Sequence, residues 1–229
     1  MKNITFNADC MEIMKQYSDQ YFDLAIVDPP YGISANKMQM GDSKKGASVN
    51  NQIKNLRVNS GSGKLKNRIL NTSNCDWDKY PPTAEYFTEL FRVSKNQIIW
   101  GMNYFKLPPT RGFVCWNKNQ PWENFSQCEL AWTSFDVPAK LFTKSNRGGA
   151  NTENKIHPCQ KPTELYDYLL HHFSKPGDKI LDTHLGSGMS RLAAYKKNLY
   201  FVGVEIDLLF YQLQEKSFKN YSSQTILNL

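Results

Sequence analysis

An apolar run that stops at two consecutive prolines is the feature that most constrains the fold of this chain. Residues 24–27 (Leu-Ala-Ile-Val) have the character of a short buried strand, and Asp28, Pro29, Pro30 and Tyr31 follow directly. Proline has no N–H for a sheet hydrogen bond and fixes φ, so the strand must end there. Because open α/β sheets bind ligands at the carboxyl ends of their strands, the sequence predicts a ligand site here. A turn that merely ends a strand is the simpler alternative.

A second apolar run leads into a glycine-rich turn. Residues 179–182 (Lys-Ile-Leu-Asp) precede Thr-His-Leu-Gly-Ser-Gly-Met-Ser at 183–190, and a helix-favouring stretch follows. This order lets the backbone approach a ligand at a helix N-terminus. A strand at 200–204 then ends in Glu205, and such folds hold ribose hydroxyls with an acidic residue at this place. The glycines alone would indicate only a tight turn, but with the acidic strand end they predict a nucleoside-binding βαβ unit.

These motifs together resemble those of the S-adenosylmethionine-dependent DNA amino-methyltransferases, which modify adenine N6 or cytosine N4. The family's cofactor motif begins D-P-F-x-G-S-G, so this chain departs from it at Thr183 and His184. Residues 157–162 (His-Pro-Cys-Gln-Lys-Pro) resemble the family's H-P-T-Q-K-P segment, and residues 7–12 resemble its G-D-C-x-E segment. The catalytic motif precedes the cofactor motif, which is the permuted order of the β group.

The resemblance implies a single α/β domain over residues 1–229 with a Rossmann-like methyltransferase fold. Its sheet is expected to contain seven mostly parallel strands with helices on both faces. Apolar runs and turn residues predict further strands at 97–101, 112–116 and 129–133, helices capped by Thr83 and Thr163, a helix at 208–219, and a loop at 140–156.

The resemblance also assigns the catalytic residues, which are Asp28, Pro29, Pro30 and Tyr31. An exocyclic amine is a poor nucleophile because its lone pair is delocalised into the ring. If Asp28 and the Pro29 carbonyl each accept one amino hydrogen, the nitrogen can aim its lone pair at the methyl group. The base must be flipped out of a duplex to reach such a pocket, and Tyr31 is expected to stack on it.

The residues expected to hold S-adenosylmethionine follow from the same resemblance. Glu205 is the first candidate for the ribose hydroxyls and Asp207 the second, while Asp182 is expected to contact the ammonium. The full predicted set is Asp9, Cys10, Asp28, Gln160, Lys161, Thr163, Asp182, Gly186, Ser187, Gly188, Glu205 and Asp207. His157 is expected to be structural, and His184 is given no catalytic role.

The positive charge of the chain is concentrated in one segment. The formal net charge is +7, and residues 36–75 hold eight basic residues and one acidic residue. This segment is rich in Asn, Gly and Ser, so it is expected to be a mobile insertion. Because it begins five residues after Tyr31, it is expected to bind DNA phosphates, whereas a solvated loop is the alternative. The predicted DNA-binding residues are Lys37, Lys44, Lys45, Lys54, Arg57, Lys64, Lys66, Arg68 and Arg147. A reduced target-recognition region is expected in the loops at about 117–127 and 140–155.

Adenine N6 of DNA is the predicted target, because the family more often has Asp or Asn before Pro-Pro-Tyr in adenine enzymes and Ser in cytosine-N4 enzymes. A cytosine-N4 methyltransferase and a catalytically inactive DNA- or cofactor-binding relative are the alternatives, the latter because of the altered 183–184 segment.

The five cysteines contain no C-x-x-C pair, so neither a metal site nor a disulfide framework is predicted. No signal peptide or membrane-spanning stretch is evident, and a cytoplasmic protein is expected. The resemblance leaves open a homodimer and a cognate restriction endonuclease that is not physically bound.

Overall fold

Short apolar runs form the strands of one sheet, and segments with an apolar stripe form helices on its two faces. The computed structural model describes residues 3–33, 78–120, 126–145 and 156–226. The strands are β1 (Asn3–Asn7), β2 (Phe22–Val27), β3 (Ser94–Trp100), β4 (Phe113–Asn117), β5 (Cys128–Thr133), β6 (Lys140–Thr143), β7 (Lys179–Asp182) and β8 (Tyr200–Glu205). The helices are α1 (Cys10–Met14), α2 (Ala84–Val93), α3 (Thr163–Phe173), α4 (Met189–Lys196) and α5 (Leu208–Ile226).

Within the described residues, eight strands form one sheet in the order β1-β8-β7-β2-β3-β5-β4-β6. The first five strands of this order run parallel to one another. Strand β5 is antiparallel to both β3 and β4, and β6 pairs parallel with β4. The carboxyl ends of the parallel strands therefore share one edge of the sheet. The register sets Asn7 beside Glu205 and Asp182 beside Gly203, which brings the ends of β1, β8 and β7 together.

Strand β2 lies at the centre of the core, because its side chains alternate between two apolar layers. Leu24 and Ile26 pack with α3 and α4 on one face of the sheet. Ala25 and Val27 pack with α1 and α2 on the other face. A strand covered on both faces reads as a nearly continuous apolar run, as residues 24–27 do. The Asp-Pro-Pro-Tyr segment, which was predicted to be catalytic, is thus attached to one of the most buried elements of the protein.

The predicted α/β class, with a mostly parallel sheet and helices on both faces, is confirmed. The described residues contain eight strands where seven were expected. The eighth is β6, which lies within the segment 140–156 that was predicted to be a loop. Strand β6 is a four-residue edge strand, and only its Phe142 packs against the core. A short strand with one partly buried apolar side chain in contact with the core leaves almost no periodic signal in a sequence.

Two predicted helix boundaries need correction, and one is confirmed. Thr83 is the N-cap residue of α2, as predicted. The N-cap of α3 is Pro162 and not Thr163, which is the first helical residue. The hydroxyl of Thr163 is instead directed at the sulfur of Met189, 3.1 Å away. Helix α5 continues to Ile226, beyond the predicted end at 219.

No helix among the described segments is both long enough and apolar enough to span a membrane. The same segments contain no group of three or more His, Cys, Asp or Glu side chains suited to a metal ion.

Candidate active site

The carboxyl edge of the parallel strands carries an acidic residue at or just after each of four strand ends. Asp9 follows β1, Asp28 follows β2, Asp182 ends β7 and Glu205 ends β8. The sequence pattern had indicated the ends of β2, β7 and β8 separately, whereas Asp9 was predicted only from the family resemblance. The strand order places all four along one edge. Asp182 and Glu205 are buried there.

Asp28 is held by two donors at the start of the Asp-Pro-Pro-Tyr turn. Its Oδ1 accepts a hydrogen bond from the Tyr31 hydroxyl at 2.7 Å, and its Oδ2 forms an ion pair with Lys161. The carboxylate is therefore fixed in position before any ligand binds. Its remaining lone-pair positions are available, since an ionised carboxylate has about four.

Asp78 fixes the backbone of the same turn. Its Oδ1 accepts hydrogen bonds from the backbone N–H of Tyr31 at 2.8 Å and of Gly32 at 3.0 Å. Gly32 has a positive φ of +74°, and a Cβ there would lie 2.5 Å from Cδ of Pro81. Only glycine fits this position, so the turn that presents Asp28 and Tyr31 is closely determined.

The ring of Tyr31 is part of an aromatic cluster. Tyr104 stacks on it with ring centroids 4.7 Å apart and an interplanar angle of 13°, and Phe105 approaches it edge-on. Gly101 passes so close that a Cβ there would lie 2.3 Å from the Tyr31 ring. Burial and the nearby Asp28 raise the pKa of the Tyr31 hydroxyl well above its ordinary value. Tyr31 is therefore a neutral donor to Asp28, and its stacking on a base remains a prediction. The partly exposed Tyr104 is an aromatic that the sequence pattern did not single out.

Lys161 lies at the centre of a buried charge cluster. Its ammonium is paired with Asp28 and is 3.1 Å from Oε2 of Glu129, which also pairs with Lys118. Trp100 lies beneath it, with 5.1 Å between Nζ and the ring centroid. Only 4% of Lys161 is exposed.

The charges in this cluster stabilise one another. Burial opposes the cation of Lys161, but Asp28 and Glu129 outweigh it and raise the pKa of the ammonium above its ordinary range. Burial likewise opposes the carboxylate of Glu129, yet Lys161 and Lys118 lower its pKa to about 2. Lys161 and Glu129 are therefore both charged at neutral pH. Glu129 was not among the predicted site residues, although a glutamate at the start of an otherwise apolar strand was an available signal.

Glu205 sits in the turn between β8 and α5 and is held by backbone donors. Its Oε2 accepts from Gly186 N–H at 2.7 Å and its Oε1 from Asp207 N–H at 2.9 Å. Burial raises the pKa of this carboxyl despite the two donors. Asp207 itself accepts from the Leu209 N–H at 2.8 Å at the start of α5. The predicted ribose residue and the glycine turn are therefore in direct contact.

Asp182 is engaged within the protein through both carboxylate oxygens. Oδ1 accepts from the His184 N–H at 3.0 Å, and Oδ2 accepts from the Ser190 hydroxyl at 2.5 Å. Only 2% of the residue is exposed, and burial raises its pKa to about 7. The contact with a cofactor ammonium remains a prediction.

Thr183 and His184, which depart from the family pattern, are packed within the protein, and so is His157. The hydroxyls of Tyr86 and Thr183 share a hydrogen bond of 2.6 Å, and Thr183 is 2.9 Å from Nδ1 of His184. Burial lowers the pKa of His184 to about 4, so the ring is neutral at pH 7. His157 packs edge-on against Phe210, with 4.3 Å between ring centroids.

The other predicted cofactor residues have identifiable structural partners. Asp9 caps α1 by accepting from the Met11 N–H at 2.8 Å. Burial raises the pKa of the adjacent Cys10 thiol to about 12, so this cysteine is not a nucleophile at neutral pH. Gln160 is buried and accepts from the Ile156 N–H at 2.9 Å.

The predicted DNA-binding residues lie outside the described residues, and their role stays a prediction. They are Lys37, Lys44, Lys45, Lys54, Arg57, Lys64, Lys66, Arg68 and Arg147. The expected recognition loops are described only in part. Two lysines in those parts are used within the protein, since Lys118 pairs with Glu129 and Lys144 pairs with Glu164.

The donor and acceptor set at the glycine turn suits S-adenosylmethionine. Gly186 and Gly188 have positive φ values of +51° and +75°, so the turn is held in a conformation that side chains rarely adopt. Glu205 uses two acceptor positions for backbone donors and retains others for hydroxyl groups. We infer that Glu205 would hold the ribose and the backbone of this turn the methionine portion.

Comparisons with known proteins agree with this arrangement. The type II methyltransferase M2.MboI of Moraxella bovis is 23% identical over 248 residues, covering 93% of this chain and 86% of that protein. A crystal structure of M1.HpyAVI with SAM has a TM-score of 0.54 and 18% identity, covering 93% of this chain and 98% of that one. PvuII DNA methyltransferase, which is cytosine-N4-specific, has a TM-score of 0.52 and 12% identity, covering 90% and 83%.

The two structures share the fold of this chain, and a family model gives the stronger assignment. The model of the N6_N4_Mtase family, described as DNA methylase, matches residues 22–216. This span includes the Asp-Pro-Pro-Tyr turn, the Lys161 cluster and the glycine turn. The chain therefore belongs to this family of DNA methylases, and its methyl donor is S-adenosylmethionine.

Proposed function

We propose that this protein methylates the exocyclic N6 of adenine in DNA after the base has been flipped out of the duplex. The observation that carries the proposal is the Asp28 carboxylate, fixed at the end of β2 by the Tyr31 hydroxyl and the Lys161 ammonium. Two donors hold the group while acceptor positions remain for an amino hydrogen of the base. Aspartate at this position supports adenine, because enzymes with this motif more often carry serine there when cytosine N4 is the target.

The residues of the turn would act by orientation and by charge. Asp28 and the Pro29 carbonyl would each accept one amino hydrogen, which turns the nitrogen lone pair away from conjugation with the ring. S-adenosylmethionine, when bound, supplies an electrophilic methyl group on a sulfonium. The Asp28 carboxylate would stabilise the positive charge that develops on the amine and accept the proton that the methylated nitrogen releases. Alignment would supply much of the remaining rate.

The aromatic cluster would receive the flipped base. Tyr31 and Tyr104 present stacked rings beside Asp28, and Tyr104 is partly exposed. Stacking of a base on an aromatic side chain contributes about 1–3 kcal/mol.

The similarity to a type II methyltransferase supports a role beside a restriction endonuclease that is not physically bound.

Nucleoside analysis after methyl transfer tests the proposal. The protein is incubated with labelled S-adenosylmethionine and DNA of mixed sequence, and the DNA is digested to nucleosides. We expect label in N6-methyladenine, and an Asp28→Ala variant is the matched control that should give none above background. Label in N4-methylcytosine would transfer the assignment to cytosine. A protein that binds S-adenosylmethionine but labels neither base would be the inactive relative.

A further inference from the structure

We propose that Glu129 and Lys161 are positioning residues for methyl transfer: Glu129 holds the Lys161 ammonium against Asp28 and takes up part of its charge. The inference rests on the proposed function, because it concerns the carboxylate that would accept the amino hydrogen. It assigns to strand β5 a part in catalysis that no sequence motif on that strand indicated.

The geometry places the Lys161 ammonium between two strands that are not neighbours. Asp28 follows β2 and Glu129 lies on β5, and β3 separates these strands in the sheet. The ammonium spans the gap above the Trp100 ring of β3. It pairs with Asp28 on one side and is 3.1 Å from Glu129 Oε2 on the other.

Glu129 is directed at Lys161 without a well-aligned hydrogen bond. Its Oε2 is buried and forms no hydrogen bond within the described residues, so its contact with the Lys161 ammonium is electrostatic. Its Oε1 pairs with Lys118, which lies just after β4. The carboxylate is therefore placed to attract the ammonium and to offset part of its positive charge.

The balance of charges between Lys161, Asp28 and Glu129 explains how Glu129 would assist methyl transfer. A lone lysine beside Asp28 would neutralise the carboxylate and oppose the positive charge that develops on the amine. Glu129 compensates that lysine, so Asp28 keeps its negative character while the ammonium still fixes its position. Interactions of this kind are strong in a site from which water is excluded.

Glu129→Gln is the primary test, because it preserves size and removes the charge. We expect kcat for methyl transfer to fall by about ten- to a hundredfold, the scale found when a partner that orients a functional group is removed. The dissociation constant for S-adenosylmethionine should change far less than kcat, because the ion-pair partners of Glu129 are Lys161 and Lys118 and not Glu205 or the glycine turn. Glu164→Gln is the matched control, because it removes a lysine–glutamate ion pair with Lys144 outside the site. An unchanged kcat in Glu129→Gln, or an equal loss in the control, would overturn the inference.

Two variants of Lys161 separate positioning by charge from simple packing. At saturating cofactor, Lys161→Arg should retain more activity than Lys161→Met, because arginine keeps the cation. A methionine variant as active as the arginine variant would contradict the assignment.

Carbon-detected NMR titration of the glutamate carboxyls provides a readout that needs no activity. Glu129 should titrate at about 2 in the native protein, and its pKa should rise in Lys161→Met because the ion pair with Lys161 is lost and only that with Lys118 still opposes burial. An ordinary value in the native protein would refute the ion pair even if DNA is methylated. The titration also separates the two failures, since a protein that methylates no base would refute the proposed function while a low Glu129 pKa still supports the cluster.

Discussion

The parallel and the antiparallel parts of the sheet contribute to the site in different ways. In the parallel part, carboxylates stand at strand ends and are fixed mainly by neighbouring backbone N–H and hydroxyl groups, as at Glu205 and Asp182. In the part that contains β5 and β4, the charges come from Glu129 and Lys118, which are fixed by other charged side chains. Lys161 joins the two parts by pairing with Asp28. The parallel part would therefore bind ligands through its turns, while the antiparallel part would adjust the charge around the Asp28 carboxylate.

The largest expected effect is on Asp28, where the two parts meet. Asp28→Ala should reduce methyl transfer by at least about a hundredfold, the scale for removing a group that stabilises a transition state. Affinity for S-adenosylmethionine should fall far less, because the glycine turn is unchanged. Single-turnover rates and calorimetry measure the two quantities. A variant that transfers methyl groups at nearly the original rate would remove Asp28 from the mechanism.

The ion pairs of the antiparallel part should appear in the pH dependence of stability. The pKa of Glu129 is lowered from 4.5 to about 2, so its contribution is present above pH 4.5 and is lost as pH falls toward 2. The full contribution is roughly 3 kcal/mol in the free energy of unfolding, at 1.36 kcal/mol for each pKa unit. Denaturant unfolding of native protein and Glu129→Gln across this range should give curves that converge at low pH. Curves that stay parallel would mean that Glu129 is not paired in the folded state.

Substitution of Glu205 tests ligand binding by the parallel part of the sheet. Glu205→Ala should weaken S-adenosylmethionine binding by about 1.5–3 kcal/mol, the range for a hydrogen bond to a charged group. Calorimetry measures this loss, and kcat at saturating cofactor should change much less. Unchanged affinity would move the ribose site to Asp207.

The smallest expected effect concerns Asp182. Burial raises its pKa from 3.8 to about 7, so the folded state binds a proton more tightly than the unfolded state does. Ionisation of Asp182 therefore lowers the free energy of unfolding as the pH rises from 3.8 to about 7. If Asp182 contacts the cofactor ammonium, the affinity for S-adenosylmethionine should increase by up to about tenfold between pH 6 and 8. The reason is that the ionised fraction of Asp182 rises by about that factor over this interval. Asp182→Asn should abolish that dependence, and a native protein with pH-independent affinity would exclude the contact.

The difference between the two parts also explains how much could be predicted from the sequence. The turns after β2 and β7 follow from local order, because prolines and glycines end strands in a way that neighbouring residues reveal. The contact between Glu205 and Gly186 follows once these strands are parallel neighbours. The fold class and the family could therefore be predicted, and both are confirmed.

The Lys161 cluster could not be predicted because it depends on sheet order. Glu129 and Lys161 are 32 residues apart in sequence, and nothing local indicates that β5 inserts between β3 and β4. The motif around Lys161 suggested a ligand contact, but it did not give the direction of the ammonium. Strand β6 was not predicted because its four residues include only one apolar side chain that packs against the core, and one residue gives no periodicity.

The hydrogen bonds from Tyr31 and Gly32 to Asp78 have a consequence for how this enzyme can diversify. They join two points of the chain that are 46 or 47 positions apart in sequence. The Asp-Pro-Pro-Tyr turn is therefore held by Asp78 at the point where the chain leaves it and returns to it. The stretch of chain between these two points begins and ends at fixed positions. Doubling the length of the chain between two fixed points costs only roughly 0.6 kcal/mol in loop-closure entropy. The length of that stretch can therefore change at a small cost in free energy while Asp78 still fixes the turn that presents Asp28.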